Sequence, residues 1–363
     1  MNQPPFDVQD RRAFPWIADA IPLGGRFVCY GDKPRTLTCY ESSDFSQVWI
    51  ARVPEDAKGS IWGISAHDGV LFARTWSIIS DHGTLTRFDT ETGNIVWSRT
   101  IPNYDEKVPL VANGLAFVSS GNGLIAIDVR NGRRRLRVSQ FLSRVQYSAT
   151  RNELLGIDLH GNLAVFNATT GEFLQSLELA IPTPCVFMSH QGWLFIGDRE
   201  RYLHVVDVDK WRIERSYNVT PYSHLIIDAD TAWLQTLQDN FDGHRFGSLD
   251  LQTGELRWDV PLPFDAHRPV HSPHPLFLRR GLVWISDLDG PIPVYALACQ
   301  TGELQAGLTM DFARKIEPSI RADDRVGRPF LLAGKVCVSV AKELWSLEIP
   351  PSQLTRRNGG TRL

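Results

Sequence analysis

Three histidines, His267, His271 and His274, lie in one short stretch, PLPFDAHRPVHSPHPLF. On a helix, positions i and i+4 would set two imidazoles on one face, an arrangement that suits zinc. Pro269, Pro273 and Pro275 forbid a regular helix there, so the stretch reads as a proline-rich loop and no metal is expected. Asp239, Asp242 and Gly243 share part of a calcium loop but lack its D-x-D-x-D-G spacing and closing Glu, and read as an exposed turn. Arg133, Arg134, Arg135 and Arg137 form a basic run. On a strand, alternate residues point to opposite faces, so the run is split and suits a solvated edge strand that discourages edge-to-edge pairing. The other reading of the run is a contact for an acidic protein. Asp68, His67, His160 and His190 have no spacing that dictates a partner and read as turn residues. The chain contains no GxSxG, HExxH, P-loop or GxGxxG. No catalytic residue, cofactor or metal ligand is assigned.

Composition narrows the classes further. The chain has 363 residues, of which 43% are hydrophobic, and a net charge of -3. That excludes a disordered chain. With 28 Gly and 22 Pro it is too rich in turn residues for a mostly helical protein. Lys and Arg (38) nearly balance Asp and Glu (41), which argues against a nucleic-acid partner. No stretch approaches the roughly 18 apolar residues of a membrane span. The segment MNQPPFDVQDRRAFPWIADAIPLGG lacks a basic region followed by an apolar one, so no export signal is read and a cytoplasmic protein is expected. Cys29, Cys39, Cys185, Cys299 and Cys337 are odd in number, scattered and without a CxxC. They read as small buried hydrophobes in a reducing compartment.

The elements that must position any site are repeats. LTCYE (37–41), LTRFD (85–89), LIAID (124–128), LAVFN (163–167), LHVVD (203–207), FGSLD (246–250), VYALA (294–298) and LWSLE (344–348) share one apolar pattern, usually closed by an acidic residue or Asn. They recur 39 to 50 residues apart. Four residues after the closing position stand Gly93, Gly132, Gly171, Gly254 and Gly302. Twice a tryptophan follows, in Asp89-x-x-Thr92-Gly93-x-x-x-Trp97 and Asp250-x-x-Thr253-Gly254-x-x-x-Trp258. Upstream of the pentapeptides lie further apolar runs such as GLAFVSS (114–120) and GLVWISD (281–287). Each unit is therefore a β-meander: a tight hairpin, a D-x-x-T-G turn, a third strand, and a weaker fourth strand in the linker before the next unit. Such sheets bury their faces only against one another.

The pattern resembles the PQQ-like β-propeller repeat, L-Y-A-L-D-x-x-T-G-x-x-x-W, over about residues 26–350. That resemblance implies an all-β propeller; eight hairpins along the chain predict eight blades of four antiparallel strands, with seven blades as the alternative. The chain reads as one domain over residues 1–350: the last unit lacks a third strand, so an N-terminal segment near 13–21 is expected to complete that blade, and the polar, basic 351–363 reads as a flexible tail. The resemblance also gives Asp89, Gly93, Trp97, Asp250, Gly254 and Trp258 a structural role in docking neighbouring blades. In the other units the motif is degraded: Gln175 stands at the Trp position, Trp211 at a Gly position, Ala298 and Ala306 at two more, and Glu41, Phe45 and Trp49 form the first repeat's version.

Function on such a frame belongs to loops. Two hairpin turns are swollen, at 73–85 and 234–246, and two linkers are long, from Gly254 to Gly281 and from Gly302 to Gly334. The second linker contains ARKIEPSIRADDRVGR, a short helix or a loop. Trp76, Phe241, Arg314, Lys315 and Arg325 are the candidate partner-binding residues, because aromatic and Arg side chains dominate binding hot spots. The expected protein is a non-catalytic, monomeric platform for another protein, in one specific form an inhibitor or immunity protein that neutralises a toxin or enzyme. The alternative is a quinoprotein-like dehydrogenase or another enzyme built on the propeller.

Overall fold

The computed structural model describes residues 7–13, 19–31, 35–54, 59–67, 69–76, 82–102, 109–120, 123–138, 140, 142–158, 160–179, 181, 184–198, 202–237, 244–262, 274–286, 294–316, 318–320, 326, 329–332, 335–340 and 343–349. Two compact units are distinguished. One comprises Ile21–Asp198 and His204–Arg215; the other comprises Met1–Ala20, Arg199–Leu203 and Ser216–Leu363.

After the first strand, β1 (Asp7–Ala13), the chain runs through seven four-stranded meanders. The first is β2 (Asp19–Leu23), β3 (Arg26–Gly31), β4 (Thr36–Glu41) and β5 (Gln47–Arg52). The second is β6 (Ser60–His67), β7 (Val70–Trp76), β8 (His82–Phe88) and β9 (Ile95–Pro102). The third is β10 (Leu110–Ala112), β11 (Leu115–Ser120), β12 (Gly123–Asp128) and β13 (Arg134–Val138). The fourth is β14 (Ser143–Ser148), β15 (Glu153–Ile157), β16 (Leu163–Asn167) and β17 (Phe173–Leu177). The fifth is β18 (Pro184–His190), β19 (Trp193–Asp198), β20 (Tyr202–Asp207) and β21 (Arg212–Asn218). The sixth is β22 (Pro221–Asp228), β23 (Thr231–Leu237), β24 (His244–Asp250) and β25 (Leu256–Pro261). The seventh is β26 (His274–Arg279), β27 (Leu282–Ser286), β28 (Val294–Ala298) and β29 (Leu304–Leu308). A short helix, α1 (Met310–Ile316), follows, and then β30 (Phe330–Leu332), β31 (Lys335–Val340) and β32 (Glu343–Glu348). An eighth sheet has the order β30-β31-β32-β1, so the N-terminal strand supplies its fourth member. The fold is an eight-bladed β-propeller of four-stranded antiparallel blades.

The closing strand lies earlier than the sequence pattern suggested. Asp7–Ala13, not the apolar 13–21 segment, pairs with β32, from Asp7 opposite Glu348 to Ala13 opposite Glu343. Residues Asp19–Leu23 instead open the first blade. The physical reason is the exposure gradient across a blade. Fourth strands such as β13 and β17 are largely exposed, whereas second and third strands are buried. The sequence DVQDRRA is polar, like the exposed fourth strands of the other blades, whereas residues 14–18 of the apolar segment lie outside the described residues.

Each blade is buried on both faces, which explains the nearly continuous apolar pentapeptides. In β28, Val294 and Ala296 join the core shared with the eighth blade, while Tyr295 and Leu297 join the core shared with the sixth. The same division recurs in the other unit: one core spans β7, β8 and β9 on one side and β11 and β12 on the other, with Phe72, Leu85 and Ile101 facing Ala116, Val118 and Ile127. Each such side chain contributes about 1.5–3 kcal/mol by leaving water. Trp193, Trp233, Trp284 and Trp345 lie on β19, β23, β27 and β32.

Candidate functional site

The repeat signature builds a junction between consecutive blades. In the second repeat, Asp89 Oδ1 accepts from the backbone N–H groups of Glu91 and Thr92 and from the Thr92 hydroxyl. The Gly93 N–H donates to the Asp89 carbonyl, and the Asp89 N–H to the Asn94 carbonyl. The same pair of backbone bonds closes the turns at Asp128, Asn167, Asp250, Glu41 and Ala298. The fifth residue of each turn has a positive φ: Phe45 at 61°, Gly93 at 72°, Gly132 at 70°, Gly171 at 74°, Gly254 at 78° and Gly302 at 70°. The aspartate is thus a turn cap.

The tryptophan of one repeat docks on the glycine turn of the next. Trp49 Nε1 donates to the Thr90 carbonyl at 3.0 Å, Trp97 Nε1 to Val129 at 2.7 Å, and Trp258 Nε1 to Cys299 at 2.9 Å. A Cβ placed on Gly93, Gly132 or Gly302 would lie 2.5–2.8 Å from the ring seated there. Glycine is required here by close approach as well as by φ.

The degraded repeats keep the junction with other residues. Leu136 occupies the Trp position of the third repeat and lies against Gly171. In the fifth repeat, Tyr217 docks on Gly254 and its hydroxyl donates to the Leu251 carbonyl. Trp211, at the Gly position, holds φ at 51°. Arg151, reaching from the fourth blade, stacks over its ring at 5.8 Å and donates to the Val208 carbonyl at 3.0 Å and to Asp209 at 2.8 Å. Val208 is the counterpart of Val129, so a guanidinium makes the bond that an indole makes elsewhere. Sequence pattern alone missed Arg151 and Tyr217, because neither stands at the expected spacing.

The turn carboxylates are held ionised. The Arg257 guanidinium, with the backbone donors of its own turn, lowers Asp250 to about 2. Arg135 lowers Asp128, Lys210 lowers Asp207, and the Thr92 hydroxyl lowers Asp89. Burial pushes the Cys39 and Cys299 thiols up to about 11.

The candidate partner-binding residues do not converge among the described residues. Trp76 ends β7 and is half-buried. Arg314 and Lys315 lie on α1, whose Ala313 is buried and whose Phe312 and Ile316 pack on the seventh- and eighth-blade core. The ARKIEP segment is therefore an anchored helix at its start, capped by the Thr309 hydroxyl, which accepts from the Phe312 N–H. Arg314 pairs with Asp311 at 3.1 Å, and Lys315 is exposed. Phe241 and Arg325 lie outside the described residues, as do His267, His271, Asp239, Asp242, Gly243 and the 351–363 tail. His274 begins β26. Among the described residues no group of three or more His, Cys, Asp or Glu is placed to hold a metal ion. No two cysteines are adjacent in the sequence. No described helix is long and apolar enough to cross a membrane.

The family described as outer membrane protein assembly factor BamB matches residues 36–271, well over half of the chain. The chain belongs to this family. Among solved structures, BamB from Moraxella catarrhalis is similar at 13% identity and a TM-score of 0.67, over 95% of this chain and 98% of that one. A europium-containing methanol dehydrogenase is similar at 12% identity and a TM-score of 0.66, over 92% of this chain and 84% of that one. The computationally designed Ika8 protein is similar at 12% identity and a TM-score of 0.63, over 93% and 98%. At such identities the structural likeness concerns the fold. No curated protein matches the sequence.

Proposed function

We propose that this BamB-family propeller is a non-catalytic platform that binds another protein. The observation that carries the reading is where the signature residues go. Asp, Gly and Trp of the repeat are consumed in capping turns and joining blades, so what remains for function is the exposed surface. That surface carries large apolar side chains on the fourth strands, including Ile50, Ile95, Val96, Phe173, Leu174 and Ile213. It also carries arginines, the residue types that anchor protein interfaces. A relative described as an assembly factor supports the same reading.

In its specific form the proposal is a cytoplasmic monomer that inhibits a toxin or another enzyme. Its test is isolation of partners with tagged full-length chain from the native cell, with light scattering for the monomer and fractionation for the compartment. The expected result is one stoichiometric protein partner. A quinone-dependent absorbance change with dye reduction would overturn the non-catalytic reading. Substituting Arg314→Glu with Lys315→Glu tests the helix as a contact without removing its buried Ala313 anchor.

A further inference from the structure

The perimeter between the second and third blades holds an unneutralised concentration of arginine. Arg134 and Arg137 stand opposite Ile127 and Ile125 in the β12–β13 ladder. Those isoleucines pack against the second blade, so both arginines emerge on the side that faces it. From the second blade, Arg87 stands opposite Trp97 and shares its side, the side that docks on Gly132. Arg87 Nη1 donates to the Val129 carbonyl at 3.0 Å, and Arg99 Nε to the Gly132 carbonyl at 3.0 Å. Arg130 and Arg133 flank Gly132 in the turn and are exposed.

The nearby turn carboxylates are engaged elsewhere. Asp128 takes Arg135 at 2.6 Å, Asp89 caps its own turn, and Glu91 takes Arg26 at 2.7 Å. Among the described residues, Arg87, Arg99, Arg130, Arg133, Arg134 and Arg137 make no ion pair, and Arg87 Nε is buried without a hydrogen-bond partner. Arg87 and Arg99 serve the fold by joining the two blades through these carbonyls, but Arg130, Arg133, Arg134 and Arg137 are exposed like charges on one short stretch, and like charges repel. A ligand of opposite charge removes that cost.

The strand itself identifies the ligand as protein. Among the described residues β13 is the last strand in its sheet, with one edge of backbone donors and acceptors not taken by another strand. We propose that β13 receives an extended acidic segment of a protein partner as a fifth strand. Carboxylates would meet Arg99, Arg134 and Arg137 on the side that faces the second blade. This rests on the protein-platform reading and specifies its partner's chemistry.

The test uses full-length protein and a labelled peptide alternating Glu with Val and Phe. Its Lys counterpart, duplex DNA and phosphatidylglycerol vesicles serve as alternatives. The expected result is saturable binding of the Glu peptide that weakens with salt. It should fall at least tenfold in Arg134→Glu with Arg137→Glu, and should be unchanged in Arg52→Glu, a reversal at an exposed arginine of another blade. Hydrogen exchange at amides 134–138 should slow on binding. Melting curves confirm that the exposed substitutions leave the fold intact. The proposal is overturned if Glu and Lys peptides bind alike, if the 134/137 reversal leaves affinity unchanged, or if only DNA or vesicles bind. A native partner that binds the 134/137 variant as tightly as wild type also overturns it while leaving the platform standing. If no native protein binds the full chain, the platform itself falls.

Discussion

Gly132→Ala isolates the docking junction from ordinary backbone strain. Gly132 has a φ of 70°, and Gly114 has a φ of 71°. Alanine at either site carries the left-handed penalty of about 1–2 kcal/mol. At Gly114 the new methyl meets nothing within 4 Å. At Gly132 it would lie 2.8 Å from Cγ and Cδ2 of Trp97. Those atoms are at the base of the side chain, so the ring cannot swing away without leaving its site. It is 7% exposed, tilted against Phe72 at 5.7 Å, and bonded to the Val129 carbonyl. Overpacking of this kind costs about 1–3 kcal/mol, with about 1 more if the indole bond breaks. Gly132→Ala should therefore destabilise by about 2–5 kcal/mol, or about 3–6 if the indole bond breaks, against about 1–2 for Gly114→Ala. Urea denaturation of both variants with unchanged m-values measures the difference. Trp97→Leu should relieve Gly132→Ala, because a Cβ placed on Gly171 would lie 3.1 Å from the Leu136 that faces it, clear of the 2.8 Å clash with the indole at Gly132. The double-mutant cycle should show a coupling of about 1 kcal/mol or more. If the two alanine variants agree within about 0.5 kcal/mol, the ring does not require glycine and the junction argument fails.

Acid should destabilise the turns. Asp89, Asp128, Asp207 and Asp250 all sit below their ordinary value when folded, Asp250 at about 2. A depressed carboxylate contributes above its unfolded value and loses that contribution as pH falls through the folded one. Urea midpoints should be level above about pH 5 and drop between about pH 4 and 2. Asp250→Asn should flatten part of that limb, since Asn167 already caps a turn through its Oδ1. Arg151→Ala should cost about 1–3 kcal/mol by removing its bonds to Val208 and Asp209 and its stack on Trp211. Arg151→Lys should restore only part of that, because an ammonium lacks the planar fork. Cys39, with its thiol near 11 and no exposed surface, should resist alkylation at pH 8 until the fold opens. Its modification rate should track unfolding measured by fluorescence.

The repeat period, the turn chemistry and the blade count were legible from residue type and spacing. They depend on local requirements: an acceptor at Asp89 or Asp250, a positive φ four residues later, and apolar runs buried on both faces. The site was less legible. The arginines of β13 stood out as a run, but Arg87 and Arg99 are 34 and more residues away in sequence and look ordinary there. Arg151 was likewise invisible as Trp211's partner, 60 residues on.

What the sequence by itself determined is the unit, because one strand–turn–strand module is specified by residues within a few positions of each other. Only the tertiary structure decided what each unit's surplus residues do. Trp97 belongs to the turn of the next blade rather than to its own, and the N-terminal closing strand is the polar Asp7–Ala13 rather than the apolar segment after it. Both follow from stacking one sheet against another. A side chain's face is a local property, but its neighbour is set by the blade that arrives some 40 residues later.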